Sequence, residues 1–357
     1  METTTLSPSA EKQGTQHQPS PASIMQIGTG FWASKVLLSA VKFNLFTHLA
    51  EKPDQSCAEI KSLLKMKCTD RNVYDFLDTL TTFGFLQRKG ILESAQYSNG
   101  ADTGIFLDRN KPSYIGGILE MMNNRLYQFW GSLEDGLLTG LPQNEAKNGG
   151  NLFGELYKDP ARLAEFIDAM SGIQKGNFLA FANKFDFSAY ETLTDAGGSG
   201  ALLSITVAQM HPHMRCTSFD LPEVQPIADK NIIKSKVAER VITAKGDFFA
   251  DALPKSDVIV MGNILHDWDE ARKVELMKKA FSSLPVGGAF VAIEGIIDEE
   301  RNKNAFGLLM SLNMLIETGK GFDYTYTDFK KWAKEVGFSR TEIIQLAGPS
   351  SAVVAYK

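Results

Sequence analysis

Residues 191–214 read ETLTDAGGSGALLSITVAQMHPHM, and this stretch decides the fold class. A β-type run leads into Asp195, a tight turn holds Gly197, Gly198 and Gly200, and an apolar helical segment follows. Strand, glycine turn and helix in that order open a doubly wound α/β sheet. There, glycine lets the backbone come close to a ligand and the helix start offers free N–H donors. A dinucleotide fingerprint needs G-x-G-x-x-G, but Ala201, Leu202 and Leu203 follow Gly200, so the third glycine is missing. On this stretch alone, a glycine turn that merely joins strand to helix remains the plain alternative.

The same pattern continues downstream. Asp220 closes CTSFD, Asp247 follows ERVITAKG, His266 follows DVIVMGNIL, and Glu294 closes AFVAIE. Ligands of an open parallel sheet bind outside the carboxyl ends of its strands, so Asp195 and these four side chains are expected to line one crevice. Asp220, about 25 residues after Asp195, stands where an acidic side chain grips ribose hydroxyls, with Leu221 beside it. Asp247 offers an acceptor for an exocyclic amine, and Phe248 a wall for an aromatic ring. Together they describe a nucleoside pocket without a pyrophosphate cradle, which favours S-adenosylmethionine over a nicotinamide cofactor. A lone histidine is often structural. His266, however, ends a strongly apolar run, precedes Asp267 and Trp268, and faces the cofactor edge, so it is the candidate general base.

TDAGGSGALL, SFDLPEV, GDFF, ILHDWDE, GGAFVAIEGII and FDYTYTDFKKWAKEVGF occur in this order. They resemble the S-adenosylmethionine-dependent O-methyltransferases that include plant phenolic, acetylserotonin and bacterial natural-product enzymes, and the resemblance runs from about Ile27 onward. It implies a Rossmann-like, seven-stranded α/β catalytic domain behind an N-terminal helical, winged-helix dimerisation domain. It also implies that Gly197, Gly198 and Gly200 approach the methionine portion of the cofactor, Asp220 holds the ribose, and Asp247 with Phe248 receives the adenine. His266 takes the base position. Glu294 and Asp323 match acidic residues that orient that histidine, with Glu317 a rival for the second role. Two departures stand out: Ser199 replaces a usual glycine, and Gly262 with Asn263 replaces a basic residue before the histidine, leaving the partner of the methionine carboxylate open. Asn263 is counted with the cofactor residues.

These residue types suit the chemistry. A sulfonium methyl is already activated, so the protein mainly has to align the attacking atom and exclude water. A phenol-like hydroxyl titrates at about 10, and an imidazole that takes its proton during attack supplies the missing nucleophilicity. A carboxylate beside the imidazole fixes its tautomer and stabilises the imidazolium. No metal is called for, and no Cys/His cluster is present to bind one.

The chain has 357 residues, 43% hydrophobic and 22% charged, which is enough for a large core divided into about two domains. A net charge of -5 gives no electrostatic case for nucleic acid or an anionic membrane. Cys57, Cys68 and Cys216 lack metal-type spacing and read as free thiols of a reducing, cytoplasmic compartment. Residues 1–20 are polar and rich in Ser, Thr, Gln and Pro, an expected disordered tail with neither a secretory core nor arginine. No apolar run reaches the roughly 18 residues of a membrane span.

Residues 21–110 read as helices followed by a hairpin turning at Lys89 and Gly90, with Val73, Phe76, Leu77 and Leu80 on one helix face. This is a winged-helix pattern, but Asp70, Asp75 and Asp78 against Arg71 make a poor recognition helix for phosphates. A dimerisation role, as the resemblance implies, is the better reading. Residues 111–186 form a helical connector whose Met121, Met122, Tyr127, Phe129 and Trp130 supply soft and aromatic surface for a substrate wall. Met170, Asp267, Asn313, Met314 and Phe322 join them by analogy with family pockets. Residues 187–357 form the cofactor-binding domain, ending in a helix and two strands joined at Gly348, Pro349 and Ser350.

The resulting expectation is a homodimeric enzyme that methylates a hydroxyl of a small molecule. One alternative keeps the cofactor but methylates a thioether or thiol sulfur of a small acid, which needs no base. Others are a family member that binds the cofactor without transferring its methyl, and a ligand-sensing winged-helix regulator.

Overall fold

The computed structural model describes residues 19–147, 149, 154 and 159–357, so the expected disordered tail falls almost wholly outside the described residues. The N-terminal region opens with helices Ala22–Gly28, Gly30–Lys42 and Leu45–Glu51. Helices Cys57–Leu63 and Asp70–Thr82 follow, each begun by a capping box at Ser56 or Thr69. Val73, Leu77 and Leu80 recur at helical spacing and bury one face of the second helix. Strands β1 (Gln55–Ser56), β2 (Leu86–Lys89) and β3 (Gln96–Asn99) form a small antiparallel sheet in the order β1-β3-β2. Gly90 takes the left-handed φ of +75° just after β2, where a residue with a Cβ would be strained. These helices and the hairpin make up the N-terminal helical domain.

The 21-residue stretch Ala22–Lys42 is apolar and mostly exposed, and by length and composition it is long enough to cross a membrane. Apolar runs had suggested no such segment. Two short helices make up this stretch and meet at Thr29.

In the connector, Gly116–Met121 continues into a helical run as far as Leu133–Thr139. The long helix Pro160–Lys184, capped by Asp159, packs against both Gly116–Met121 and Leu202–Met210, tying connector to catalytic domain.

The catalytic sheet has seven strands: β4 (Thr192–Ala196), β5 (Arg215–Asp220), β6 (Val241–Lys245), β7 (Val258–Gly262), β8 (Ala289–Glu294), β9 (Arg340–Gln345) and β10 (Ser351–Tyr356). Their order is β6-β5-β4-β7-β8-β10-β9; β4 to β8 pair in parallel, and β10 runs antiparallel to both β8 and β9. β7 and β8 are covered on both faces, which is why they read as unbroken apolar runs. Alternate residues still separate the two cores: Val258 and Val260 pack with Phe181 and Leu203, whereas Ile259 and Met261 pack with Phe290 and Trp332. Strand order reverses between β4 and β7, so the cofactor crevice is expected at their carboxyl ends.

Candidate active site

The crevice is built first by backbone. The turn after β4 is pinned by the Gly197 and Gly198 N–H groups, both donating to the Phe219 carbonyl at 2.8 and 3.3 Å. A Cβ on Gly198 would lie 2.3 Å from Ser218 Oγ and 2.9 Å from the Asp195 carbonyl oxygen, so this turn admits no side chain there. Ser199 and Ala201 hold left-handed φ values of 49° and 61°, a conformation that costs a non-glycine residue and is found at ligand-binding turns.

Acidic groups then ring the turn. Asp220 accepts the Ser199 N–H at 2.8 Å on one carboxylate oxygen and the Leu221 N–H at 2.7 Å on the other, each oxygen keeping a lone pair for a ligand hydroxyl. Burial pushes Asp220 up to about 6 against the pull of those two amides. Burial, reinforced by the charge of Asp220, pushes Asp195 up to about 7. Asp247 is exposed at the rim, where it accepts the Phe249 N–H at 2.8 Å. Phe248 stands edge-on to Trp268 with ring centres 6.3 Å apart. Asn263 has a left-handed φ of 54°, and its N–H donates to the Ile293 carbonyl at 3.1 Å, bending the chain from β7 toward the histidine.

His266 sits in the short helical turn Leu265–Asp267 and is 5% exposed. Its backbone N–H donates to Glu294 Oε1 at 3.0 Å, joining the turn to the end of β8. Its Nδ1 lies 3.3 Å from Asp323 Oδ1, and its Nε2 is 3.6 Å from Asp267 Oδ1. In the neutral ring, an Nδ1–H donated to Asp323 leaves Nε2 as the unprotonated nitrogen. Burial resists a charge on the ring, but Asp323, Asp267 and Glu294 outweigh it and carry His266 up to about 10. Burial also raises Asp267, to about 7, and Glu294. Gly321 lets the loop before Asp323 close on this turn: a Cβ there would meet the His266 carbonyl oxygen at 2.5 Å.

A cavity of about 280 Å3 joins the cofactor turn to His266 and the connector. Of the expected acceptor residues, Met121, Met170, Asp267, Asn313 and Met314 line it, as does Met122. Tyr127, Trp130 and Phe322 are not among its lining residues. The Tyr127 hydroxyl turns to the Phe31 carbonyl at 3.3 Å, and its ring carries Lys35. Trp130 stands behind the wall, its Nε1–H donating to Asn313 Oδ1 at 2.9 Å, and the Phe322 ring lies under Lys273. Phe129 belongs to a neighbouring polar cavity. Glu294 and Asp323 reach the cavity only through His266. Glu317 lines the cavity but bonds Arg125 at 3.2 Å and Asn144 at 3.4 Å, so Asp323 is the carboxylate at the imidazole.

Sequence reasoning missed Arg125, Lys273 and Gly321. Arg125 reaches the wall through a fork onto Glu145, 3.0 and 2.8 Å, from positions with no local pattern. Lys273 did leave a signal: with Leu276, Met277 and Ala280 it occupies an i, i+3, i+4, i+7 stripe, the apolar face of helix Glu270–Ser283.

Residues 130–339 match the O-methyltransferase domain, and residues 25–108 match the O-methyltransferase dimerisation domain. The chain belongs to the O-methyltransferase family. It is 33% identical to the tetracenomycin polyketide synthesis 8-O-methyl transferase TcmO of Streptomyces glaucescens, over 96% of this chain and 98% of that protein. Human N-acetylserotonin methyltransferase, crystallised in complex with SAM, superposes with a TM-score of 0.87 at 25% identity, covering 97% of this chain and 99% of that one. PigF with SAH, from Serratia, superposes with a TM-score of 0.85 at 25% identity over 95% of this chain and 100% of that one. This O-methyltransferase accordingly uses S-adenosylmethionine and acts on small molecules. The crevice fits that cofactor: a side-chain-free turn at Gly198, a carboxylate with spare lone pairs at Asp220 and an aromatic wall at Phe248.

Proposed function

We propose that the enzyme methylates a hydroxyl of a small molecule held between the connector and helix Ala305–Thr318, with His266 as the general base. The observation that carries this reading is the pairing of His266 Nδ1 with Asp323, which leaves Nε2 to receive a proton. S-adenosylmethionine supplies a methyl group on a cationic sulfur. With that group held by the crevice, the proton of the acceptor hydroxyl would pass to Nε2 of His266 as the methyl is transferred. Asp323 steadies the imidazolium, and Glu294 fixes the turn through the His266 backbone. Gly197, Gly198 and Gly200 take the methionine end, Asp195, Asp220 and Leu221 the ribose side, Asp247 and Phe248 the adenine, and Asn263 the approach to the histidine.

Asp323, Asp267 and Glu294 raise the proton affinity of the ring, so positive charge nearby favours base action. The sulfonium charge of the cofactor acts in that direction.

We further propose a cytoplasmic homodimer. The match to the dimerisation domain begins at residue 25, and Ile24, Ile27 and Trp32, exposed at 73%, 82% and 62%, form an apolar face that a second copy would cover.

The test is S-adenosylhomocysteine release over a panel of phenols, hydroxy acids and thioethers, with His266→Gln beside the parent. Turnover on a hydroxyl acceptor that collapses in the variant supports the reading. Turnover confined to sulfur acceptors, or a variant as active as the parent, overturns it.

A further inference from the structure

Lys273 has no exposed surface at all, a rare condition for lysine unless it is paired. Among the described residues it has no carboxylate oxygen within ion-pair distance. Its Nζ donates to the Trp268 carbonyl, lies 3.5 Å from the centre of the Phe322 ring, and is 5.9 Å from that of Tyr324. One contact is therefore two residues after His266 and another is one residue before Asp323. The ammonium bridges the two segments whose side chains meet at His266 Nδ1.

An apolar side chain would fill this space without the cost of burying a charge. Burial pulls the Lys273 ammonium down to about 8, and the carboxylates of Glu294, Asp323, Asp267 and Asp269 offset part of that cost, so the side chain carries its charge below that pH. Interaction of this kind is mutual: the lysine charge in turn favours ionised Asp267. The charged and titratable groups around the imidazole are Asp267 on its own turn, Glu294 at the end of β8, Asp323 from the loop after helix Ala305–Thr318, and Lys273 from helix Glu270–Ser283. The Tyr324 phenol stands beyond, against Glu294. Lys273 is the one cation in this set, apart from the imidazole itself.

Resting on His266 as base, we propose that Lys273 is a positioning residue that ties the His266 and Asp323 segments together and places a positive charge beside their carboxylates, lowering the proton affinity of the imidazole. The lysine touches no reacting atom; it acts through His266. Its charge persists when the sulfonium has become a thioether, so the ring is not left facing three carboxylates with no counter-charge after transfer.

The experiment is an NMR titration of the His266 ring in the full chain bound to S-adenosylhomocysteine, the resonance being assigned by its loss in His266→Gln. Lys273→Met keeps the bulk without the charge, and Lys273→Gln keeps a donor for the Trp268 carbonyl without the charge. Both should raise the His266 titration point by about one pH unit or more. The acid limb of the rate profile should move upward with it, while S-adenosylhomocysteine affinity stays within about twofold. Should the Met variant fail to fold, the Gln variant carries the test. A His266 titration unchanged in a folded variant overturns the proposal. Because the titration reads the ring directly, it decides this point even if His266→Gln proves fully active and the base assignment falls.

Discussion

Nδ1 of His266 and Oδ1 of Asp323 stand 3.3 Å apart across 57 positions of sequence, whereas Glu317, six residues before that aspartate, is held by Arg125 and Asn144. The pairing is made possible by Gly321, whose bare Cα lets one loop rest on the carbonyl of the other. Asp323→Asn should therefore lower kcat on the order of 100-fold or more, because an amide can hold the ring in the wrong tautomer. Glu317→Gln should instead move the acceptor KM and leave the acid limb of the pH profile in place. Steady-state kinetics of the two variants across pH separates these outcomes, and equal effects on kcat would contradict the pairing.

His266, carried up to about 10 by its acidic neighbours, should lose proton occupancy when a cation binds beside it. S-adenosylmethionine should release a fraction of a proton on binding near pH 9, and the neutral thioether S-adenosylhomocysteine distinctly less. Calorimetric titrations in two buffers of different ionisation enthalpy measure this directly. Identical proton release for the two ligands would remove the link between sulfonium and imidazole.

Gly198→Ala places a Cβ within 2.3 Å of Ser218 Oγ, which can rotate away, and 2.9 Å from the Asp195 backbone oxygen, which cannot yield without opening the turn. The cost to the fold should be about 1–3 kcal/mol, and S-adenosylhomocysteine affinity should fall by about tenfold or more as the turn moves. Thermal unfolding with and without ligand checks both, and an unchanged ligand-induced shift in Tm would count against the turn as the cofactor cradle.

Asp195, raised by burial to about 7, binds its proton more tightly in the folded chain than in the unfolded one, where a carboxyl titrates near about 3.9. Between those values the folded state holds more protons, so this group makes stability fall as pH rises through that window and leaves a constant penalty above it. Asp195→Asn should accordingly stabilise the ligand-free protein at pH 8 and do little at pH 4. Denaturant titrations at the two pH values test it; a gain confined to the acid side would reverse the sign and exclude buried ionisation as the cause.

The catalytic sheet was legible because its parallel strands are buried on both faces and end in polar residues, a pattern carried by β7 with His266 and β8 with Glu294. The small sheet was legible from its hairpin, but not the two-residue strand Gln55–Ser56, too short to show alternation. Aromatic composition put Tyr127 and Trp130 in the wall region but could not say toward which neighbour they turn, and hydrogen bonds to Phe31 and Asn313 decide that. Lys273 was overlooked because lysine is ordinarily read as a solvent-facing residue, even where it occupies a stripe of apolar positions.

Helix Ala305–Thr318 lends Asn313 and Met314 to the cavity wall, and the loop leaving the same helix brings Asp323 to His266. A descendant of this enzyme that widened its pocket by changing that helix would disturb its own proton acceptor in the same step. Met121, Met122 and Met170 sit on the connector side, away from that loop, and exchanging them carries no such penalty. New acceptors are therefore most readily acquired through the connector methionines, with helix Ala305–Thr318 changing later and only alongside compensating changes near Gly321.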